Sequence, residues 1–463
     1  MTSRRIPPSV LGDGLDVPLI GGGSSPYVNF DFAASAPALV AVNDAVQAFL
    51  PWYSSVHRGA GYKSQLSTAA YEQARREVGR FVGAREDDVV VFTRNTTDSL
   101  NVLAAALPED CHVVTFEGEH HANLLPWRRR TFQHLPVPLD PSLLTEVLDE
   151  ALEALDDRPV LFAMTAVSNV TGEIWPVADL VATAKGHGAR VVVDTAQLSP
   201  HGPVTLAKWD ADWCVLSGHK LYAPYGAGAL VGRRDWLEQR EPFLAGGGAV
   251  AFVTHEEVLW ADLPDRQEAG SPNVVGAVAL GVACKTLGEH GMDIVLDHEM
   301  HLDKLMRDGL DTVPGLRRLN LWGDQHPGIA VETFELDGFH HSHVASILSA
   351  EYGIAVRDGC FCAHPLMLRL LEVPQDEADR IREEVRAGNH ANVPGSVRAS
   401  AGLTTTDADV DVLVEALRTI AAAGPKWTYA RDQASGNWEP TNDDRPLPDL
   451  VCVPPGRVGA VHG

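Results

Sequence analysis

An α/β fold with a mainly parallel central sheet in a large domain, joined to a smaller α+β domain, is predicted by three features of the sequence. The chain has 463 residues, more than a single core usually serves. Between about residues 68 and 235, runs of consecutive apolar residues alternate with segments of helical period, as βα units with strands buried on both faces require. A second group of helices and strands follows from about residue 295.

Taken in order, residues 1–40 are expected to join the small domain and 41–294 to form the large one. Residues 295–423 are expected to form the small C-terminal domain, and 424–463 an irregular Pro-rich tail. The predicted sheet strands are Val89–Phe92, His112–Phe116, Val160–Met164, Arg190–Asp194 and Trp213–Leu216, each a short apolar run. Ligands of such sheets collect outside the carboxyl ends of the strands, so the polar clusters there are the candidate site. In the small domain the period predicts helices over Asp297–Asp311, His343–Tyr352 and Asp407–Ala423, with a further helix, Gln375–Ala387, after Pro374. From Gly424 onward Pro425, Pro440, Pro446, Pro448, Pro454 and Pro455 break any periodicity. Trp427, Tyr429 and Trp438 are expected to pack this tail on the body.

Composition narrows the function classes. Hydrophobic residues make up 45% and charged residues 21%, as in a soluble globular protein. The 37 Lys and Arg against 62 Asp and Glu leave a formal charge of −25, which opposes binding to nucleic acid or an anionic membrane. The Met1–Pro8 segment starts basic but has no apolar stretch of the kind a secretory signal needs, and no apolar run reaches membrane-spanning length. A cytoplasmic location is therefore expected. Cys111, Cys214, Cys284, Cys360, Cys362 and Cys452 are scattered along a long chain and read as reduced thiols. His340, His341 and His343 have the look of a metal cluster, but no i, i+4 pair and no acidic or cysteine ligand accompanies them. No metal is expected; a helix start capped by Ser342 is the better reading.

The chemistry begins at two strand ends. Val191-Val192-Val193-Asp194 ends in a carboxylate, and Ser217-Gly218-His219-Lys220 follows the next strand with an amine. Alone, Asp194 reads as a helix cap and Lys220 as a surface amine. Together they are the two groups that pyridoxal 5′-phosphate (PLP) needs: a lysine to hold the cofactor's aldehyde carbon, and a carboxylate to keep the pyridine nitrogen protonated. Arg94-Asn95-Thr96-Thr97, between a strand and a helix start, offers free amides and the Thr96 and Thr97 hydroxyls to a phosphate.

Val-Asp-x-Ala-Gln at 193–197 followed by Ser-Gly-His-Lys at 217–220 resembles the class V aminotransferases, and within them the cysteine desulfurases. The likeness spans most of residues 28–420 and includes Phe30–Ala36, Val56–Gly59, Glu119–Asn123, Ser168–Gly172 and Glu268–Asn273. It implies PLP fold type I, the aminotransferase-like fold. It also implies that His120 stacks on the cofactor ring, with neighbouring His121 the competing choice, while Asn169 and Gln197 bond the phenolic oxygen. Ser217 and His219 would join the phosphate site, with Ser271 reaching it from the second subunit of a homodimer. Ala34, His57, Arg58 and Arg357 would face substrate, and Arg398 would bind an amino acid's carboxylate, for which its planar fork is suited.

Gly353–Leu366 resembles the desulfurase loop whose cysteine takes the substrate sulfur as a persulfide, and Cys362 occupies that position. Arg357 and His364 are placed to stabilise its thiolate. Cys360 stands where a polar residue is common, and reads either as a resolving thiol or as packing. The expected activity is cleavage of the C–S bond of L-cysteine or a derivative, with Lys220, Cys362 and His120 as catalytic residues. The alternatives are a β-lyase giving pyruvate, a class V aminotransferase, or a non-enzymatic PLP-binding protein. The expected partners are a small amino acid, a second copy of the chain and a protein sulfur acceptor; the helix after Pro374 is placed in sequence to cap the cleft against such an acceptor.

Overall fold

The computed structural model describes residues 6–57, 59–155 and 158–446. Its largest sheet has seven strands in the order Val89–Thr93, Gly228–Gly232, Trp213–Ser217, Arg190–Asp194, Val160–Thr165, His112–Phe116, Thr131–Leu135. All run parallel except Gly228–Gly232, which is antiparallel to both neighbours. Side chains leave the strands alternately, so Val191 and Val193 join one apolar cluster and Val192 another on the opposite face. Helices cover both faces, which is why the strands are apolar at successive positions.

Two strands were not predicted. Thr131–Leu135 lies at the sheet edge with exposed Thr131 and Gln133 and carries no apolar run. Gly228–Gly232 begins and ends in glycine and reads as a turn. A Cβ on Gly228 would lie 2.7 Å from both Asn95 Cα and Leu216 O, so the strand must be bare at that point to pass between them.

A second sheet, antiparallel, is ordered Leu316–Leu319, Val331–Leu336, Ser396–Ser400, Arg357–Gly359. It shares a separate apolar core with the helices Met292–Leu310, His341–Tyr352 and Asp407–Ala423. Strand Val28–Asn29 runs parallel to Ile354–Ala355, and Phe30 is buried in that same core. The helix Asp407–Ala423 opens with a capping box in which Thr406 and Asp409 bond each other's backbone amides. The helix His341–Tyr352 starts two residues earlier than the sequence predicts. Its cap is therefore His340, whose ring accepts from the Ser342 amide, and Ser342 is not the cap. Among the described residues no three His, Cys, Asp or Glu side chains converge on a metal position, and no helix is long and apolar enough to cross a membrane.

The helix Gln375–Arg386 exists as predicted, with only Ile381 buried. Residues 424–446 are less irregular than expected. Strands Tyr429–Arg431 and Trp438–Pro440 form a hairpin, because Trp438 stacks on His343 at 4.3 Å and Tyr429 donates to Glu351 at 3.0 Å. Pro448, Pro454, Pro455 and Cys452 lie outside the described residues.

Candidate active site

A cavity of about 510 Å³ opens at the carboxyl ends of the parallel strands. Asp194, the last residue of its strand, is 5% exposed and accepts from the Ala196 amide at 2.9 Å. Burial raises its pKa, opposed by that bond and by the Lys220 charge. Lys220 stands three residues past the end of the next strand. Burial pushes its amine down to about 8 despite the attraction of Asp194, so free base is present near neutrality.

His120 lines the same cavity, and His121 does not. The Nδ1 of His120 accepts from the Ala122 amide at 3.0 Å, which leaves the proton of the neutral ring on Nε2. Burial, with Lys220 adding to it, pushes the ring down to about 3, so it is uncharged in the physiological range. His121 turns away and stacks on His364, with centroids 5.0 Å apart. Glu119, one position of the Glu119–Asn123 string, fixes this loop. It is fully buried, accepts from Asn123 Nδ2 at 2.7 Å and from the Thr165 amide at 2.8 Å, and burial pushes it up to about 8.

At the start of the helix Thr96–Ala106, the expected free amides are partly used. The Thr96 amide donates to Ser217 Oγ at 2.8 Å, and Asn95 Oδ1 caps the helix through the Asp98 amide at 3.0 Å. The Thr96, Thr97, Ser217 and His219 side chains remain in the cavity wall. Gln197 donates to Ala33 O at 2.9 Å, leaving its buried Oε1 without a partner. A buried strand-end carboxylate, a neighbouring amine, a ring-sized uncharged histidine and an unsatisfied polar atom in one cavity fit PLP.

The opposite wall comes from the second sheet. Arg398 is 3% exposed; its Nη1 donates to Asn169 O at 2.7 Å, and its buried Nε has no partner. Burial pushes the guanidinium down to about 10. Asp31, absent from the sequence-derived site, lies 3.6 Å from Arg398 and 3.7 Å from Arg357. In the sequence it stood only as one position of the Phe30–Ala36 string that carries the resemblance.

Cys362 is exposed at the cavity edge in the turn Cys360–Ala363, closed by the Ala363 amide donating to Cys360 O at 2.9 Å. Phe361 and Cys362 take φ of 53° and 56°, a left-handed pair that ordinary side chains rarely adopt. Asn169 Nδ2 donates to Phe361 O and the His121 amide to Cys362 O, each at 2.7 Å. Asn169 thus holds the cysteine turn as well as facing the cavity. No residue of the helix Gln375–Arg386 lines this cavity.

Ala34 and Arg357 also line the cavity. His57 and Ser271 do not: they line a different one of about 500 Å³, where His57 bonds Glu72 at 3.1 Å. Arg58 lies outside the described residues.

The aminotransferase class-V family model matches residues 28–413. A probable cysteine desulfurase of Halalkalibacterium halodurans is 33% identical over 405 residues, covering 85% of this chain and 93% of that protein. Among solved structures, the cysteine desulfurase CsdA of Escherichia coli, in an S-sulfonic acid form, has a TM-score of 0.71 and 33% identity over 84% of this chain and 94% of its own. The apo cysteine desulfurase of Thermococcus onnurineus has a TM-score of 0.74 and 29% identity over 85% and 94%.

Proposed function

The chain belongs to the class-V aminotransferase family, and from that premise we propose that it is a PLP-dependent cysteine desulfurase with Cys362 as sulfur acceptor. The observation that carries this reading is the presence of Cys362, Lys220 and Arg398 in the wall of one cavity. When bound, the cofactor supplies an aldehyde that captures amines and a cationic ring that withdraws electrons. Asp194 would keep the ring nitrogen protonated, and His120 would lie against the ring. Thr96, Thr97, Ser217 and His219 would hold the phosphate, and Asn169 and Gln197 would serve the phenolic oxygen.

Arg398 binds the substrate carboxylate, with Ala34 and Arg357 beside it. Lys220 would hold the cofactor and would move a proton at the substrate's α-carbon; an amine with a pKa of about 8 can do both near neutrality. The Cys362 thiolate takes the sulfur: an S–S bond forms as the C–S bond breaks, the carbon keeps the electron pair and gains a proton, and alanine leaves. The exposed position of Cys362 suits transfer of the persulfide to an external acceptor, a small thiol or a protein.

The large lobe, residues 41–294, then carries the cofactor, while 295–423, completed by 1–40, carries the carboxylate and sulfur sites and 424–463 forms the tail. We also read the enzyme as a cytoplasmic homodimer in which His57, Arg58 and Ser271 serve the partner's site. The deciding experiment incubates the holoenzyme with L-cysteine and quantifies alanine, pyruvate and protein-bound persulfide, with Cys362→Ala beside it. Alanine and persulfide should form together and both vanish in the variant. Pyruvate undiminished in Cys362→Ala would instead establish β-elimination.

A further inference from the structure

We propose that Phe361 is a positioning residue through which the site reads the substrate's α-carboxylate: its ring fixes the plane of the Arg398 guanidinium while its backbone carries Cys362. This rests on the C–S cleavage reading for the role of Cys362, but not for the role of Arg398.

Arg398 is held in its own plane by one short hydrogen bond, Nη1 to Asn169 O at 2.7 Å. Its Nη2 lies 3.6 Å from Asp31, beyond hydrogen-bond length, and Nε is unpartnered. A planar cation held by one bond can still rotate about it. The Phe361 ring removes that freedom, since the guanidinium carbon lies over it, 5.0 Å from the centroid. The contact is sheltered from water, where a cation–π attraction is strongest. Nε, buried and without a partner, and Nη2, facing Asp31 at 3.6 Å, form the edge that a carboxylate binds bidentately.

The backbone of Phe361 supplies the second half. A bulky residue at φ 53° persists only where its surroundings over-determine it. Here Asn169 holds its carbonyl, the turn closes from Ala363 to Cys360, and the ring is seated on Arg398. Asn169 and Arg398 are themselves bonded, so Phe361, Asn169 and Arg398 form a closed triangle with Cys362 attached at one corner. A ligand that pulls on Arg398 therefore acts on the turn that presents the thiol.

Phe361→Gly separates ring from backbone, because glycine takes a left-handed φ without cost while removing the ring. Holoenzymes of the parent, Phe361→Gly and Phe361→Tyr are titrated with L-alanine and, in parallel, with ethylamine, which lacks the carboxylate, following the absorbance of the bound cofactor. Phe361→Gly is expected to bind alanine about ten-fold more weakly with ethylamine unchanged, and Phe361→Tyr to restore alanine binding. KM for L-cysteine should rise in the same order. Unchanged alanine affinity in Phe361→Gly, equal loss of both ligands, failure of Phe361→Tyr to rescue, or a parent that does not distinguish alanine from ethylamine would each overturn the proposal. If Phe361→Gly does not load cofactor, Phe361→Leu replaces it with the same expectations. A parent that binds alanine selectively but makes no alanine from L-cysteine would refute the desulfurase reading and leave the carboxylate result standing.

Discussion

Lys220 has the most direct pH consequence. Cofactor capture needs the unprotonated amine, and with the pKa pushed down to about 8 roughly a tenth of it is free base at pH 7, far more than an ordinary lysine offers. Uptake of PLP by the apoprotein should therefore accelerate as pH rises and level off above about 8, and borohydride should then fix the cofactor on Lys220 in a peptide map. A profile still climbing at pH 10, or label on another lysine, would contradict this. The two thiols of the turn are expected to differ as well. Cys360 donates its S–H to Pro394 O at 2.9 Å, and burial pushes it up to about 11, so it is a protonated thiol at neutrality. Alkylation at pH 7.5 with mass mapping should label exposed Cys362 well before Cys360, which argues for packing over a resolving role. Asp194 and Lys220 were legible in the sequence because they are two chemically complementary groups at successive strand ends. Asp31 and Phe361 were not, since their meaning lies in Arg398, which reaches them only through tertiary structure.

Among the elements, the loop bearing His120 depends on a single buried acid. Glu119→Ala would strand two buried donors, Asn123 Nδ2 and the Thr165 amide, and should cost about 2–3 kcal/mol. A lowered midpoint of thermal unfolding, with faster loss of cofactor, is the expected result. Gly228 is a second such point. Gly228→Ala would drive a methyl group against Asn95 Cα and Leu216 O, both backbone, and overpacking of that kind costs about 1–3 kcal/mol. It should lower cofactor occupancy more than the same change at open Gly186, which meets nothing within 4 Å. The parallel strands were legible because double burial makes them uniformly apolar. Gly228–Gly232 was hidden by the glycines that let it pass Asn95, and the tail hairpin by prolines whose disruption the Trp438 and Tyr429 contacts outweigh.

On the scale of the whole molecule, two apolar cores meet along the cavity, one packing the strands that lead to Asp194 and Lys220 together with the cysteine turn, and the other packing the strand that carries Arg398. His57 and Ser271 stand apart from that cavity, lining another with Gly247 and Gly248, which lead into the hairpin of Val250–Val253 and Val258–Trp260, where Phe252 and Leu259 are 65% and 61% exposed. Apolar side chains so placed are expected to be covered by a second copy of the chain. Sedimentation should give a dimer, and Phe252→Asp with Leu259→Asp should shift it towards monomer with loss of activity; an active parent monomer would refute the shared-site reading. The place of Ser271 outside the Lys220 cavity fits the expectation that it reaches a site from a second subunit, whereas that of His57, expected to face substrate, was not legible in the sequence.

The antiparallel strand also sets an order of assembly. Val89–Thr93 has a single neighbour in its sheet, Gly228–Gly232. During synthesis the Val89–Phe92 segment therefore emerges early and has no strand to pair with until the ribosome has passed Gly232, while the strands from His112 to Ser217 can already zip together. Its Phe92 amide waits longer still, for the Glu268 carboxylate that accepts from it at 2.6 Å. The Asn95–Thr97 turn that follows Val89–Thr93 is thus fixed later than the strands from His112 to Ser217, though before the Arg357–Arg398 wall of the cavity emerges. Until then an unpaired apolar edge is open to chaperones and to other nascent chains.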